Sequence, residues 1–135
     1  MDTKSDSIKP ITTENQDLRA IIYENINNIR SNNGLGELEF LDIGEAQRHS
    51  QIVLEKGEIV YRNDLPVKAG ETVLYSYYYR ESVDLVVINE LMRELTGVEE
   101  NRRLLLNDEF IGVDVGVSFT DTETSLVLDY YSKIS

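Results

Sequence analysis

The chain has no cysteine, which excludes disulfides, thiolate chemistry and cysteine-ligated zinc together. It has one histidine, His49, so a two-histidine metal site cannot form, and any Ser-His-Asp arrangement would have to be built on that residue. Long apolar runs are missing too: none approaches the roughly 18 residues needed to span a bilayer. Positive charge is scarce. Thirteen Lys and Arg stand against 25 Asp and Glu, a net charge of −12 that argues against nucleic acid or anionic lipid headgroups as main partners. Arg102-Arg103 is the one adjacent basic pair. The opening "MDTKSDSIKPITTENQ" lacks the basic-then-apolar pattern of a signal peptide. Two expectations are compatible with that: a cytosolic protein, or a chain whose targeting segment has been cut away ahead of Met1.

What is present reads as one folded domain. The 135 residues are 41% hydrophobic and 28% charged, enough for a single core. Residues 1–12 read as a flexible tail and 13–135 as the domain. Thr13 and Gln16 have the spacing of a capping box and predict a helix start. Leu18, Ile21, Ile22, Ile26 and Ile29 form its apolar face, with Arg30 off that face, and "SNNGLG" ends it. Asp42 and Glu45 suggest a second capping box. Ile43, Ala46, Ser50 and Val53 then give a narrow face of small residues, and Gly57 is the stop. Residues 58–70 read as loop around Pro66, and "ETVLYSYYY" as a strand. A third helix is predicted from about Glu81 to Leu95, with Val83, Val86, Val87, Leu91 and Leu95 as its stripe and Gly97 beyond. A short fourth covers about Glu99 to Leu106. Two strands, "FIGVDVGVSF" and "SLVLDYY", close the chain. In the first, Ile111, Val113, Val115, Val117 and Phe119 point one way, while Gly112, Asp114, Gly116 and Ser118 point the other. Helices early and a hairpin late predict an α+β fold with an antiparallel sheet.

Several of these pieces are similar, in order, to the CAP domain family of cysteine-rich secretory, antigen 5 and pathogenesis-related proteins. "NRRLLLNDEFIGVDVGV" resembles that family's "HRRNLL…F…IGVGV" segment, and "INNIRSNNGLGELEF" its "N.yR…GL..L.." opening. "AQRHSQIVLEKG" resembles the "A..hS..m…G" helix, "AGETV" the "GEN" box and "LVLDYY" the last strand. The likeness spans about Leu18 to Tyr131. It implies a three-layer α-β-α sandwich with a small antiparallel sheet between helices. In such a sandwich Gly112 and Gly116 would be the places where a helix approaches a strand closely.

The resemblance also implies a cleft tetrad of two histidines and two glutamates able to hold a divalent metal. Carried over by position, one histidine becomes Asn101 and the other falls near Tyr61. One glutamate is kept as Glu71, and the second falls near Val98, beside Glu99. An amide is a poor ligand for transition metals and moves no protons near neutral pH. No catalytic residue, no metal ligand and no cofactor are therefore expected, with Glu71, Asn101 and Tyr61 left as a vestigial cleft. Asn101 reads as a cap or brace of its short helix, and His49 as a partly buried helix residue. "YSYYYR" offers Tyr75, Tyr77, Tyr78 and Tyr79 as a binding surface. "NDE" (107–109) and "DTE" (121–123) read as turns, and Glu90 with Glu94 as a solvated face. The functional expectation is a non-catalytic CAP/SCP-like domain, extracellular or at the cell surface. It would act by binding a neutral lipid or sterol, or a protein partner. The alternatives are a metal-assisted hydrolase using Glu71 and a purely structural surface module.

Overall fold

Alternating apolar residues at the C-terminus build a hairpin, and the rest of the chain is assembled on it. The computed structural model describes residues 12–13, 16–77 and 85–132. In chain order the elements are β1 (Thr12–Thr13), β2 (Gln16–Asp17), α1 (Leu18–Asn32), β3 (Glu39–Phe40), α2 (Glu45–Lys56), β4 (Gly70–Tyr77), α3 (Leu85–Gly97), α4 (Glu99–Leu105), β5 (Phe110–Phe119) and β6 (Glu123–Ser132). The expected tail up to residue 11, Tyr78, Tyr79 and the expected helix start at 81–84, with Val83, lie outside the described residues.

The main sheet has the order β3-β5-β6-β4. β5–β6 and β4–β6 are antiparallel, but β3 runs parallel to β5, so the sheet is mixed rather than antiparallel throughout. The cause is the exit from α1. Gly34 takes the left-handed conformation (φ 76), and Leu35 and Gly34 return hydrogen bonds to the Arg30 and Ser31 carbonyls. The chain then lies along β5 in the same direction, and the Leu41 N–H bonds the Val113 carbonyl at 2.9 Å.

Three layers follow from the two faces of this sheet. On one side Leu18, Ile22 and Ile26 of α1, Ile88, Leu91 and Leu95 of α3 and Leu105 of α4 cover Val113, Val115, Val117, Leu126 and Leu128. Burial of each such side chain contributes about 1.5–3 kcal/mol. On the other side α2 stands alone, with Ala46 and Val53 against Val73 and Val127. The α+β sandwich expected from the sequence is the observed architecture.

Five local expectations are corrected. Thr13 and Gln16 are cross-strand partners in the β1–β2 pair, and α1 begins at Leu18 instead. Asp42 does not cap α2, since Gly44 is the N-cap and Asp42 pairs with Arg19 at 3.1 Å, and Ile43, expected on the buried face of α2, is 50% exposed. Ile111 is also 50% exposed: an irregularity between Phe110 and Gly112 shifts the register, so Phe110 is buried and stacks on Tyr130. Arg30, expected off the apolar face, is buried. Its guanidinium donates to the Gly36, Leu105 and Asn107 carbonyls, each at 2.9 Å, and so joins the end of α1 to the end of α4.

The two glycines of β5 are close-approach positions of different kinds. A Cβ on Gly116 would lie 2.1 Å from the Ala46 carbonyl oxygen, whereas one on Gly112 would meet the Leu41 side chain at 2.7 Å. Backbone of a helix cannot step aside as a leucine can. Gly116→Ala is expected to cost roughly 3 kcal/mol, at the upper end of overpacking penalties, and Gly112→Ala distinctly less. Urea unfolding midpoints of the two variants check this; equal losses would contradict the backbone contact.

Candidate functional site

The α2-facing side of the sheet carries three carboxylates in register. Asp114 of β5 is paired with Asp129 of β6, and Asp129 with Glu71 of β4. Like charges directly opposite one another on a sheet repel, and Asp114 and Asp129 are buried. Each acid is handled differently.

Asp114 caps the helix that Asp42 does not. One of its carboxylate oxygens accepts the Ala46 N–H at 3.0 Å. A carboxylate at this end is favoured by the helix dipole. Gly44, at φ 87, turns the backbone into the helix just ahead of that amide. Burial still raises the Asp114 pKa, and the backbone hydrogen bonds only partly offset it.

Asp129 and Glu71 form a pair. The Arg62 guanidinium donates to one Asp129 oxygen at 2.8 Å, and the Arg62 backbone N–H donates to Glu71 Oε1 at 2.7 Å. The remaining oxygens, Asp129 Oδ1 and Glu71 Oε2, are buried with no other partner. Protonating one of two such acceptors would give it a donor and relieve the repulsion between the two charges. Burial pushes the Asp129 carboxyl up to about 8, and the bond and charge of Glu71 add to that, against the opposing pull of Arg62.

Arg62 is the hub. Besides Asp129 it reaches Glu45 at 2.6 Å and Asp64 at 3.0 Å, with its side chain only 8% exposed. Through it the loop after α2, the helix itself and the sheet are pinned together. His49 adds a second pin: it is buried on α2, and its Nε2 is 2.6 Å from the Val60 carbonyl. Further along, Gln47 bonds both backbone groups of Val117, Ser50 meets Ser118 at 2.6 Å, and Ser125 donates to the Ser50 carbonyl.

The residues singled out in the sequence are placed as follows. Glu71 lies in this cluster, and the backbone it binds is next to Tyr61, whose ring is 59% exposed. Asn101 is elsewhere: on α4, in the opposite layer, its amide lies 3.4 Å from the Glu94 carbonyl at the end of α3. Val98 is the N-cap of α4, and Glu99 pairs with Arg103 on the surface. Glu94 is not simply solvated, since burial raises its pKa and the Ser76 hydroxyl lies 3.3 Å from its carboxylate. The Tyr75 hydroxyl bonds Glu123, and its ring meets Tyr77 edge-on at 5.3 Å. Tyr77 itself is 73% exposed.

Asp114, Asp129 and Arg62 were not singled out in the sequence, although a lone acid inside "GVDVGV" and inside "LVLDYY" was a signal for the first two. Among the described residues no three His, Cys, Asp or Glu side chains are grouped to hold a metal ion. The donor set around Glu71 does not fit a divalent cation, because a guanidinium already lies among the carboxylates.

The raised Asp129 pKa has a measurable consequence. An aspartate has a pKa of about 3.9 when unfolded and Asp129 is held at about 8 when folded. The folded state binds this proton more tightly, so the stability it contributes is complete below about pH 4 and is lost as pH rises through about 8. Asp129→Asn keeps a donor for Glu71 and an acceptor for Arg62 but cannot ionise. The urea midpoint of the wild type is expected to fall relative to that of the variant between about pH 5 and pH 9. A difference that stays constant with pH would contradict the raised Asp129 pKa.

No protein-family model matches the sequence, and no curated protein matches it. Solved structures do. An outer surface protein from Borrelia burgdorferi is similar with a TM-score of 0.66 at 14% identity, over 90% of this chain and 97% of that one. An extracellular protein containing an SCP domain, from Bacillus anthracis, gives 0.60 at 19% identity over 93% of this chain. The match takes in 45% of that protein, so this chain spans less than half of its length. Hookworm platelet inhibitor gives 0.58 at 13% identity, over 94% and 74% of the two chains. The chain has the fold of SCP, or CAP, domain proteins.

Proposed function

We propose that this chain is a non-catalytic SCP-like domain that acts by binding a protein partner, outside the cell or at its surface. The observation that carries the reading is Arg62. The carboxylates that could hold a metal or move a proton, Asp129 and Glu45, are paired to its guanidinium, and Glu71 is bound to its backbone N–H. The one histidine is committed to the Val60 carbonyl. With asparagine at position 101 and an exposed tyrosine at 61, the histidine–glutamate tetrad of the resemblance is lost. A metal-assisted hydrolase using Glu71 would first have to break these contacts.

A protein partner is favoured over a neutral lipid or sterol by the walls of the described clefts. One of about 500 Å³ between α3 and α4 is lined by Thr96, Gly97, Glu99, Arg102, Arg103 and Leu106. Another, along α2, sets Ile52, Val60 and Tyr61 among charged side chains such as Arg48, Lys56 and Asp64. Such walls suit directed polar contacts and offer little continuous apolar area to an acyl chain or sterol ring. The surface or extracellular setting is supported by the descriptions of two solved structures that share the fold.

Calorimetric titration of zinc into the tag-free protein tests the non-catalytic part, alongside a fluorescent sterol at low and high salt. Neither is expected to bind saturably at micromolar concentration. Micromolar zinc binding abolished by Glu71→Ala would restore the hydrolase, and saturable, salt-independent sterol uptake would replace the protein partner by a lipid.

A further inference from the structure

A cleft of about 470 Å³ lies between the outer face of α2 and the segment 60–64. Arg48, Ile52 and Lys56 are spaced four residues apart along it, so they form one row on the helix. Arg48 and Lys56 are exposed, and neither has a side-chain partner among the described residues. The acids that border the same cleft, Glu45 and Asp64, are turned to Arg62 at 2.6 and 3.0 Å. In a chain of net charge −12, this concave surface is therefore locally net positive, with Arg48, Lys56 and Arg62 against Glu45 and Asp64, and Arg48 and Lys56 are the two cations that no carboxylate holds. Ile52 lies between them, and Tyr61, 59% exposed, is on the opposite wall.

The spacing selects among anions. At 1.5 Å per residue, Arg48 and Lys56 start about 12 Å apart along the helix axis. A single phosphate or carboxylate reaches both only if two long side chains fold toward each other, at a cost in side-chain entropy. In an extended peptide, residues four apart are separated by about 13 Å and point to the same side, as does the residue midway. The two distances match.

We infer that the α2 cleft binds an extended acidic segment of a protein partner. Two carboxylates four residues apart engage Arg48 and Lys56, and an apolar residue midway lies against Ile52 and Tyr61. The inference rests on the protein-binding reading above and supplies the partner's chemistry. Charge complementarity with the two cations sets the orientation and the encounter rate, while the central apolar contact adds affinity.

The experiment is fluorescence anisotropy of a labelled peptide with two glutamates four residues apart and a leucine between them, titrated with the full chain. Saturable binding is expected, weakening about tenfold or more between about 50 and about 300 mM salt. A counterpart with lysines in place of the glutamates should not bind. The double variant Arg48→Glu, Lys56→Glu should lose the acidic peptide, with its urea midpoint close to that of the wild type because both side chains are exposed. Absence of saturable binding, or equal binding by wild type and double variant, overturns the inference. Competition by inorganic phosphate as effective as by unlabelled peptide also overturns it, by assigning the cleft to a small anion. The zinc titration keeps the two levels apart. Zinc uptake through Glu71 removes the non-catalytic reading, whereas a failed peptide titration in protein that takes up no zinc removes this inference alone.

Discussion

Three carboxylates on adjacent strands, in register and under a helix, impose a constraint that the surrounding structure is arranged to meet. Glu71, Asp129 and Asp114 cannot all be ionised side by side beneath α2 without compensation. Asp114 is compensated by the Ala46 amide at the start of α2. Asp129 is compensated by Arg62, while burial and the neighbouring Glu71 favour its protonated form. Each solution also fixes geometry. The Asp114 contact sets where α2 starts over β5, and the Arg62 contacts set where the loop beyond α2 lies against β6 and β4.

Packing of α2 on the sheet follows from the same anchoring. With its first turn held on Asp114, the helix crosses β5 at Gly116, where its backbone leaves no room for a Cβ. Small and polar residues line the rest of that crossing: Ala46, Ser50, Ser118 and Ser125, with Gln47 bonding both backbone groups of Val117. The opposite face needs no such devices, because three helices bury a broad aliphatic surface there. The outward row of α2 is thereby left to face the loop cleft. The carboxylate–arginine cluster serves as a structural clamp, and on the proposed function the binding surface lies beside it.

Periodicity in the sequence was informative wherever a local rule decided the outcome. The apolar face of α1, the glycine stops at Gly34 and Gly57 and the bounds of β5 all follow from spacing and backbone freedom within a few residues. The close approach at Gly116 was legible because a glycine inside an apolar strand has few other purposes. Where a distant partner decided the outcome, the same rules failed. The α2 cap is 68 residues from the amide it binds, and Asp42 was the local candidate that lost to it. Arg30 reads as an off-face residue until the carbonyls of Leu105 and Asn107 arrive to bond it. The parallel strand β3 is two residues long, too short for any alternation to show. At the site, Glu71 was found through the resemblance. Asp129 and Arg62 required the strand register and the loop path.

Burial beside Glu71 holds the Asp129 carboxyl well above the ordinary carboxylate range, against the opposing pull of Arg62. Carbon-13 NMR titration of the aspartate side-chain carboxyls, with Asp129 assigned by comparison with Asp129→Asn, addresses it directly. The account predicts that the Asp129 resonance titrates near pH 8, where the carboxyl is held, and that Glu71→Gln alters that titration. An Asp129 carboxyl that titrates at or below the ordinary aspartate value of about 3.9 would mean a fully ionised pair and would contradict the account.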